Sequence, residues 1–118
     1  MNFTFENQDN IVIFTIKNSN LDSEISPQLK AKILILCQPD VEAFIIDMSN
    51  VDYVDSSGLG ALLLANRQLR EYGQDLILTG VRETVMKMFN ISQLTDLFTF
   101  YDTLEEALQF VTNVAEEE

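Results

Sequence analysis

The chain has 118 residues, 47% of them hydrophobic, and carries 19 acidic against 7 basic residues for a net charge of −12. That length and apolar content suit one globular domain with a core of its own, the strand and helix patterns taken below make it α/β, and the excess negative charge argues against direct contact with nucleic acid or anionic lipid. With no histidine, a single cysteine and no acidic cluster at metal-ligand spacing, the usual general base and the usual zinc sites are missing. Enzymatic, metal-dependent and cofactor-dependent readings are therefore disfavoured.

Phe3-Thr4-Phe5 and Ile11 to Ile16 are rich in aromatic and β-branched residues and flank the polar stretch Glu6 to Asn10, which reads as the turn of a β-hairpin. After the break at Asn18-Ser19-Asn20, Ser26-Pro27 offers an N-cap followed by proline at the first helical position. Leu29, Ile33, Leu36 and Cys37 then lie at helical spacing, and Pro39 ends the run. The lone Cys37 reads as a small buried thiol, in keeping with a reducing compartment. No apolar run approaches the roughly 20 residues a membrane-spanning helix needs, and no basic leader precedes one, so a cytoplasmic location without membrane insertion is expected.

Ala43 to Asp47 is a continuous apolar run ending on a carboxylate, as expected of a parallel strand covered on both faces. Asp55-Ser56-Ser57-Gly58 follows shortly after, and Leu59, Leu62, Leu63 and Leu69 mark one face of the helix it opens, with Gly73 as a left-handed stop. Asp75 to Gly80 is a second buried strand, so strand, helix and strand form a βαβ unit. In such sheets ligands and partners gather at the carboxyl ends of the strands. There Asp47, the Asp55 to Gly60 turn and Gly80 should meet. Val81, Val85, Met88 and Phe89 give a third helical stripe, with Met86 and Met88 read as core or rim. Phe98 to Phe100 reads as a short strand. Thr103 and Glu106 form a capping box before a last amphipathic helix, with Glu116 to Glu118 as a solvated tail.

A helix N-terminus carries about half a positive charge and unpaired amides, so a hydroxyl there is well situated to become a phosphate. The plain alternative is that Ser56 and Ser57 only cap the helix. If Asp55 is the cap, Ser56 is the freer hydroxyl. If Ser56 is the cap, Ser57 becomes the more available one. Gly58 and Gly60, lacking Cβ, would allow a partner to approach the first turn closely.

The wider pattern D-M-S-N-V-D-Y-V-D-S-S-G-L-G-A-L-L resembles the phosphoacceptor segment of the STAS domain family, the bacterial anti-sigma factor antagonists. The resemblance extends over nearly the whole chain: the N-terminal hairpin, a helix before AFIID, the strand DLILTG, the helix VRETVMKMF and a final helix. It implies a STAS-like fold, a mixed sheet of four or five strands with about four helices. It also implies a switch protein that binds an anti-sigma factor, itself a serine kinase, and so frees a sigma factor. Phosphorylation would fall on Ser56, with Ser57 as the alternative, and a serine phosphatase would reverse it. The partner surface would comprise Asp47, Asp55, Ser56, Ser57, Gly58, Leu59 and Gly60, and the free chain would be a monomer. Gln93 stands where relatives often carry glycine, which touches a local turn. Two rival readings are a constitutive STAS subunit of a transporter complex, in which the serines only cap, and a hydrolase using Asp47, Asp52 or Asp55 as base.

Overall fold

The computed structural model describes residues 1–117. Strands β1 (Phe3–Gln8), β2 (Ile11–Ile16), β4 (Ala43–Asp47), β6 (Asp75–Thr79) and β7 (Thr99–Tyr101) form one sheet in the order β1-β2-β4-β6-β7. β1 pairs antiparallel with β2, and the other neighbours are parallel, so the sheet is mixed. A pair of two-residue strands, β3 (Asn20–Leu21) and β5 (Tyr53–Val54), forms a separate parallel ladder. The described residues also form four α-helices, α1 (Ser26–Leu36), α2 (Ser56–Glu71), α3 (Glu83–Ile91) and α4 (Leu104–Glu117), and a short 3-10 turn at Thr95–Leu97.

The uninterrupted apolar runs of the central strands are explained by cover on both faces. Phe44 and Ile46 of β4, with Val12, Phe14 and Ile16 of β2 and Leu76 and Leu78 of β6, face Leu29 and Ile33 of α1, Leu62 and Leu69 of α2 and Phe89 of α3. The alternate residues Ile11, Ile13, Ala43, Ile45 and Ile77 face α4, where Ala107 is buried and Leu104, Leu108 and Val111 pack around it. Burial of each such side chain is worth about 1.5–3 kcal/mol. The strands are thereby locked in register, since a one-residue slip would exchange the two faces.

Several local expectations shift. The hairpin turn is only Asp9-Asn10, both in the left-handed region at φ 49° and 69°; with Gln8 opposite Ile11, this is a two-residue turn of the mirror-image type favoured in hairpins. Glu6 to Gln8 belong to β1 instead, because on an edge strand polar side chains stay in water at no cost. The first helix does not use Ser26 as its cap: Ile25 precedes it, Ser26 and Pro27 open the helix, and the Asp22 carboxylate accepts the amides of Glu24 and Ile25 at 3.1 and 3.3 Å. The third helix ends in a Schellman motif with Gln93 at φ 60°, where Leu94 N–H donates to the Phe89 carbonyl and Gln93 N–H to that of Asn90. The turn thus forms around a non-glycine residue in the left-handed region, which strains it.

Gly73 ends α2 in the same way at φ 72°, and Thr103 caps α4 through the Glu106 amide at 3.2 Å. α4 continues to Glu117, so the acidic run expected as a tail starts inside the helix, and Glu118 lies outside the described residues. Cys37 is buried, and that burial pushes its thiol up to about 11. Met86 and Met88 are half-buried, and Met86 packs against the core.

Candidate functional site

The carboxyl ends of β4 and β6 are stitched together by a short loop. Met48 N–H donates to the Thr79 carbonyl at 2.9 Å, and the Asp47 carboxylate turns the chain by accepting the Ser49 amide at 2.9 Å. Gly80, at φ 65°, lies so close to this loop that a Cβ there would stand 3.0 Å from Ser49 Cβ, which explains a glycine on both conformational and steric grounds. Arg82 then clamps the loop from the start of α3. Its Nε donates to the Ser49 carbonyl at 2.7 Å, its Nη1 pairs with the Asp52 carboxylate, and Thr84 Oγ1 donates to the Asp52 carbonyl at 3.2 Å. Asp52 therefore does not stand as a free charge beside the serines; Arg82 offsets it.

β3 carries the other half of the support. The Ser19 carbonyl accepts the amides of Asp52 and Tyr53, and the Leu21 carbonyl accepts that of Asp55 at 3.1 Å. This delivers Asp55, in extended conformation, as the N-cap of α2. One carboxylate oxygen, Asp55 Oδ1, accepts the Ser57 amide at 2.9 Å, the Gly58 amide at 3.1 Å and the Ser57 hydroxyl at 2.5 Å. The Ser57 hydroxyl, followed by the Gly58 amide, holds the Asp55 carboxyl below its ordinary range, because both stabilise the anion.

The expected site residues thus separate. Ser56 is the first residue of α2, exposed, and its hydroxyl makes no hydrogen bond among the described residues. Ser57 is half-buried and tied back to Asp55. Asp47, Asp55 and Gly60 are half-buried. Gly58 and Leu59 are buried by the chain itself, Leu59 to 4% exposure. The expectation that both glycines leave room for a partner holds for Gly60, which has nothing within 4 Å of a Cβ position, and fails for Gly58. There the space is filled by Leu21 and Val54.

Chemically the arrangement presents one free primary hydroxyl on a helix start. The amides of Ser57 and Gly58 are already taken by Asp55, so a phosphate on Ser56 would not find the whole first turn open to it. Among the described residues no helix is long and apolar enough to cross a membrane. Sequence reasoning missed Leu21, Asp22, Ser26 and Arg82, the residues that hold the turn in place. Leu21 and Arg82 reach the site across the fold, Ser26 carries a local signal only as a helix start, and Asp22 acts one step removed, through its carbonyl's contact with the Ser26 hydroxyl.

The sequence model of the STAS domain matches residues 2–107. The anti-sigma-B factor antagonist of Listeria monocytogenes is 29% identical over 89 residues, covering 75% of this chain and 76% of that protein. Among solved structures, the anti-sigma factor antagonist SpoIIAA in its unphosphorylated form is 28% identical and superposes with a TM-score of 0.80, covering 95% of this chain and 97% of that one. The phosphorylated form of SpoIIAA, a Bacillus cell fate determinant, superposes with a TM-score of 0.72 at the same 28% identity, covering 93% and 99%.

Proposed function

This chain belongs to the STAS domain family, and we propose that within it the chain is an anti-sigma factor antagonist switched by phosphorylation of Ser56. Unphosphorylated, it binds an anti-sigma factor that is also a serine kinase, and a sigma factor is set free. The kinase transfers the γ-phosphoryl group of ATP. A bond forms between Ser56 Oγ and phosphorus, the bond from phosphorus to the ADP oxygen breaks, and the hydroxyl proton leaves to solvent or a base of the kinase. A serine phosphatase reverses the switch by hydrolysing the Ser56 ester. The exchange takes place in the cytoplasm, where the free thiol of Cys37 is at home, and a chain with a net charge of −12 is monomeric when free.

The observation that carries this reading is the contrast between the two serines. Ser56 is exposed and free while Ser57 is tied to the cap. The names of the Listeria and SpoIIAA relatives support the antagonist role. Phosphate adds about −1.5 to −2 charges at pH 7, placed one residue from the ionised Asp55. With Asp52 paired to Arg82, the repulsion that ejects an acidic or desolvated partner surface comes mainly from Asp55 and the phosphate itself.

The test is capture of the anti-sigma factor from native cells by three forms of the purified chain. Wild type and Ser56→Ala should retain it, and Ser56→Asp should lose it by about tenfold or more, the scale on which a buried charge mismatch acts. Equal capture by the alanine and aspartate forms would refute the switch.

A further inference from the structure

Ser26 lies 31 positions before Ser57, at the start of a different helix, yet its Oγ stands 3.0 Å from Ser57 Oγ. It is 3% exposed. The same Oγ stands 2.7 Å from the Asp22 carbonyl oxygen, so its single proton serves one of the two acceptors. Ser57 spends its own proton on Asp55 Oδ1 at 2.5 Å, so the two hydroxyls are hydrogen-bonded when Ser26 turns its proton from the Asp22 carbonyl to Ser57, and otherwise Ser26 Oγ only fills the buried side of the Ser57 oxygen.

The Asp55 cap alone would not secure this. The hydroxyl and the carboxylate are only half-buried, so water can compete for the bond between them. Ser26 closes the buried side, and it is itself held by α1, whose Leu29 and Ile33 are packed in the core. Phosphoryl transfer needs a nucleophile oxygen in line with phosphorus at about 3–3.5 Å. For Ser57 to present itself in that way its side chain must turn out of the contacts with Asp55 and Ser26. Asp55 does not assist as a base, since the interactions that hold it anionic make it a weaker proton acceptor.

We propose that Ser26 is a positioning residue that locks the Ser57 hydroxyl in place and thereby restricts phosphoryl transfer to Ser56. This rests on the phosphoacceptor reading above. In each transfer the new bond runs from a serine Oγ to the γ-phosphorus of ATP, ADP departs, and the hydroxyl proton is released; Ser26 decides only which oxygen is free to do so.

The experiment compares wild type, Ser26→Ala and Leu29→Val, the last being a core substitution in the same helix that leaves the Ser26 hydroxyl in place. Two readouts are taken well below the unfolding temperature of each form: the χ1 coupling constants of Ser57 by NMR on the purified chains, and phosphopeptide mapping of the chains recovered from native cells. In wild type and Leu29→Val, Ser57 should occupy one rotamer and phosphate should fall on Ser56. In Ser26→Ala the Ser57 couplings should average, and the share of phosphate on Ser57 should rise by about twofold to fivefold, the upper figure being what one full neutral hydrogen bond is worth. A single Ser57 rotamer in Ser26→Ala, or an unchanged phosphate share, would overturn the proposal, and so would an equal rise in Leu29→Val. Absence of phosphate on every form would overturn the phosphoacceptor reading and the selectivity with it, while the couplings would still decide the lock.

Discussion

Replacing Gly58 by alanine would place a Cβ 2.5 Å from the Leu21 carbonyl oxygen and 2.9 Å from both Leu21 Cβ and Val54 Cγ1. The carbonyl cannot swing aside as a side-chain end would, because it is backbone and also accepts the Asp55 amide at 3.1 Å. Relief must come from displacing β3 and β5 against the start of α2. Overpacking of this kind costs about 1–3 kcal/mol, against about 1 kcal/mol gained when alanine replaces glycine in a helix. A clash with backbone belongs at or beyond the upper end of that range, which leaves a net loss of about 2 kcal/mol. At Gly60 nothing lies within 4 Å of the Cβ position, so the same substitution keeps only the gain of about 1 kcal/mol. At about 4 °C per kcal/mol for a domain of this size, Gly58→Ala should melt about 8 °C below wild type and Gly60→Ala about 4 °C above it. Thermal unfolding followed by circular dichroism reads both, with urea titrations to show that the slope m is unchanged. A stabilised Gly58→Ala would refute the packing role of this glycine.

Two further outcomes follow from the caps. Gln93→Gly should stabilise the domain by about 0.5–1 kcal/mol, since a non-glycine residue in the left-handed region costs about 1–2 kcal/mol and the added freedom of glycine in the unfolded chain returns part of it; a lower urea midpoint for the variant would contradict this. Asp55→Asn removes one titrating group whose folded-state affinity for a proton is lowered from the ordinary value of 3.8. The stability this carboxylate contributes is therefore full above that value and lost as pH falls through the lower folded value. The difference in urea midpoint between wild type and Asp55→Asn should be constant from pH 7 to pH 5 and shrink below about pH 4, and a difference that grew in acid would overturn the assignment of Asp55 as an anionic cap.

The sequence by itself determined the elements whose signals are local. Continuous apolar runs at Ala43 to Asp47 and Asp75 to Gly80 required strands buried on both faces, and the intervening helical stripe required the βαβ unit between them. The cap at Asp55 was readable as one of two alternatives, because Asp and Ser are both good caps and only the fold chooses between them. The tertiary structure decided what local chemistry leaves open. β3 is two residues long and exists only through its pairing with β5, so no periodicity could announce it. Its Leu21 is the reason Gly58 is a packing glycine and not an open approach. Ser26 reads as a cap from its neighbours, yet Ile25 holds the N-cap position without a side-chain bond, Asp22 braces the turn just before it, and the Ser26 hydroxyl faces inwards. Arg82 pairs with Asp52 from the N-cap of α3, 30 positions away. Propensities act over a few residues, whereas these contacts form where α1, α2, α3 and the short β3–β5 ladder are brought together. Which hydroxyl on the helix start is free is therefore set by the packing of distant segments and not by the D-S-S-G motif alone.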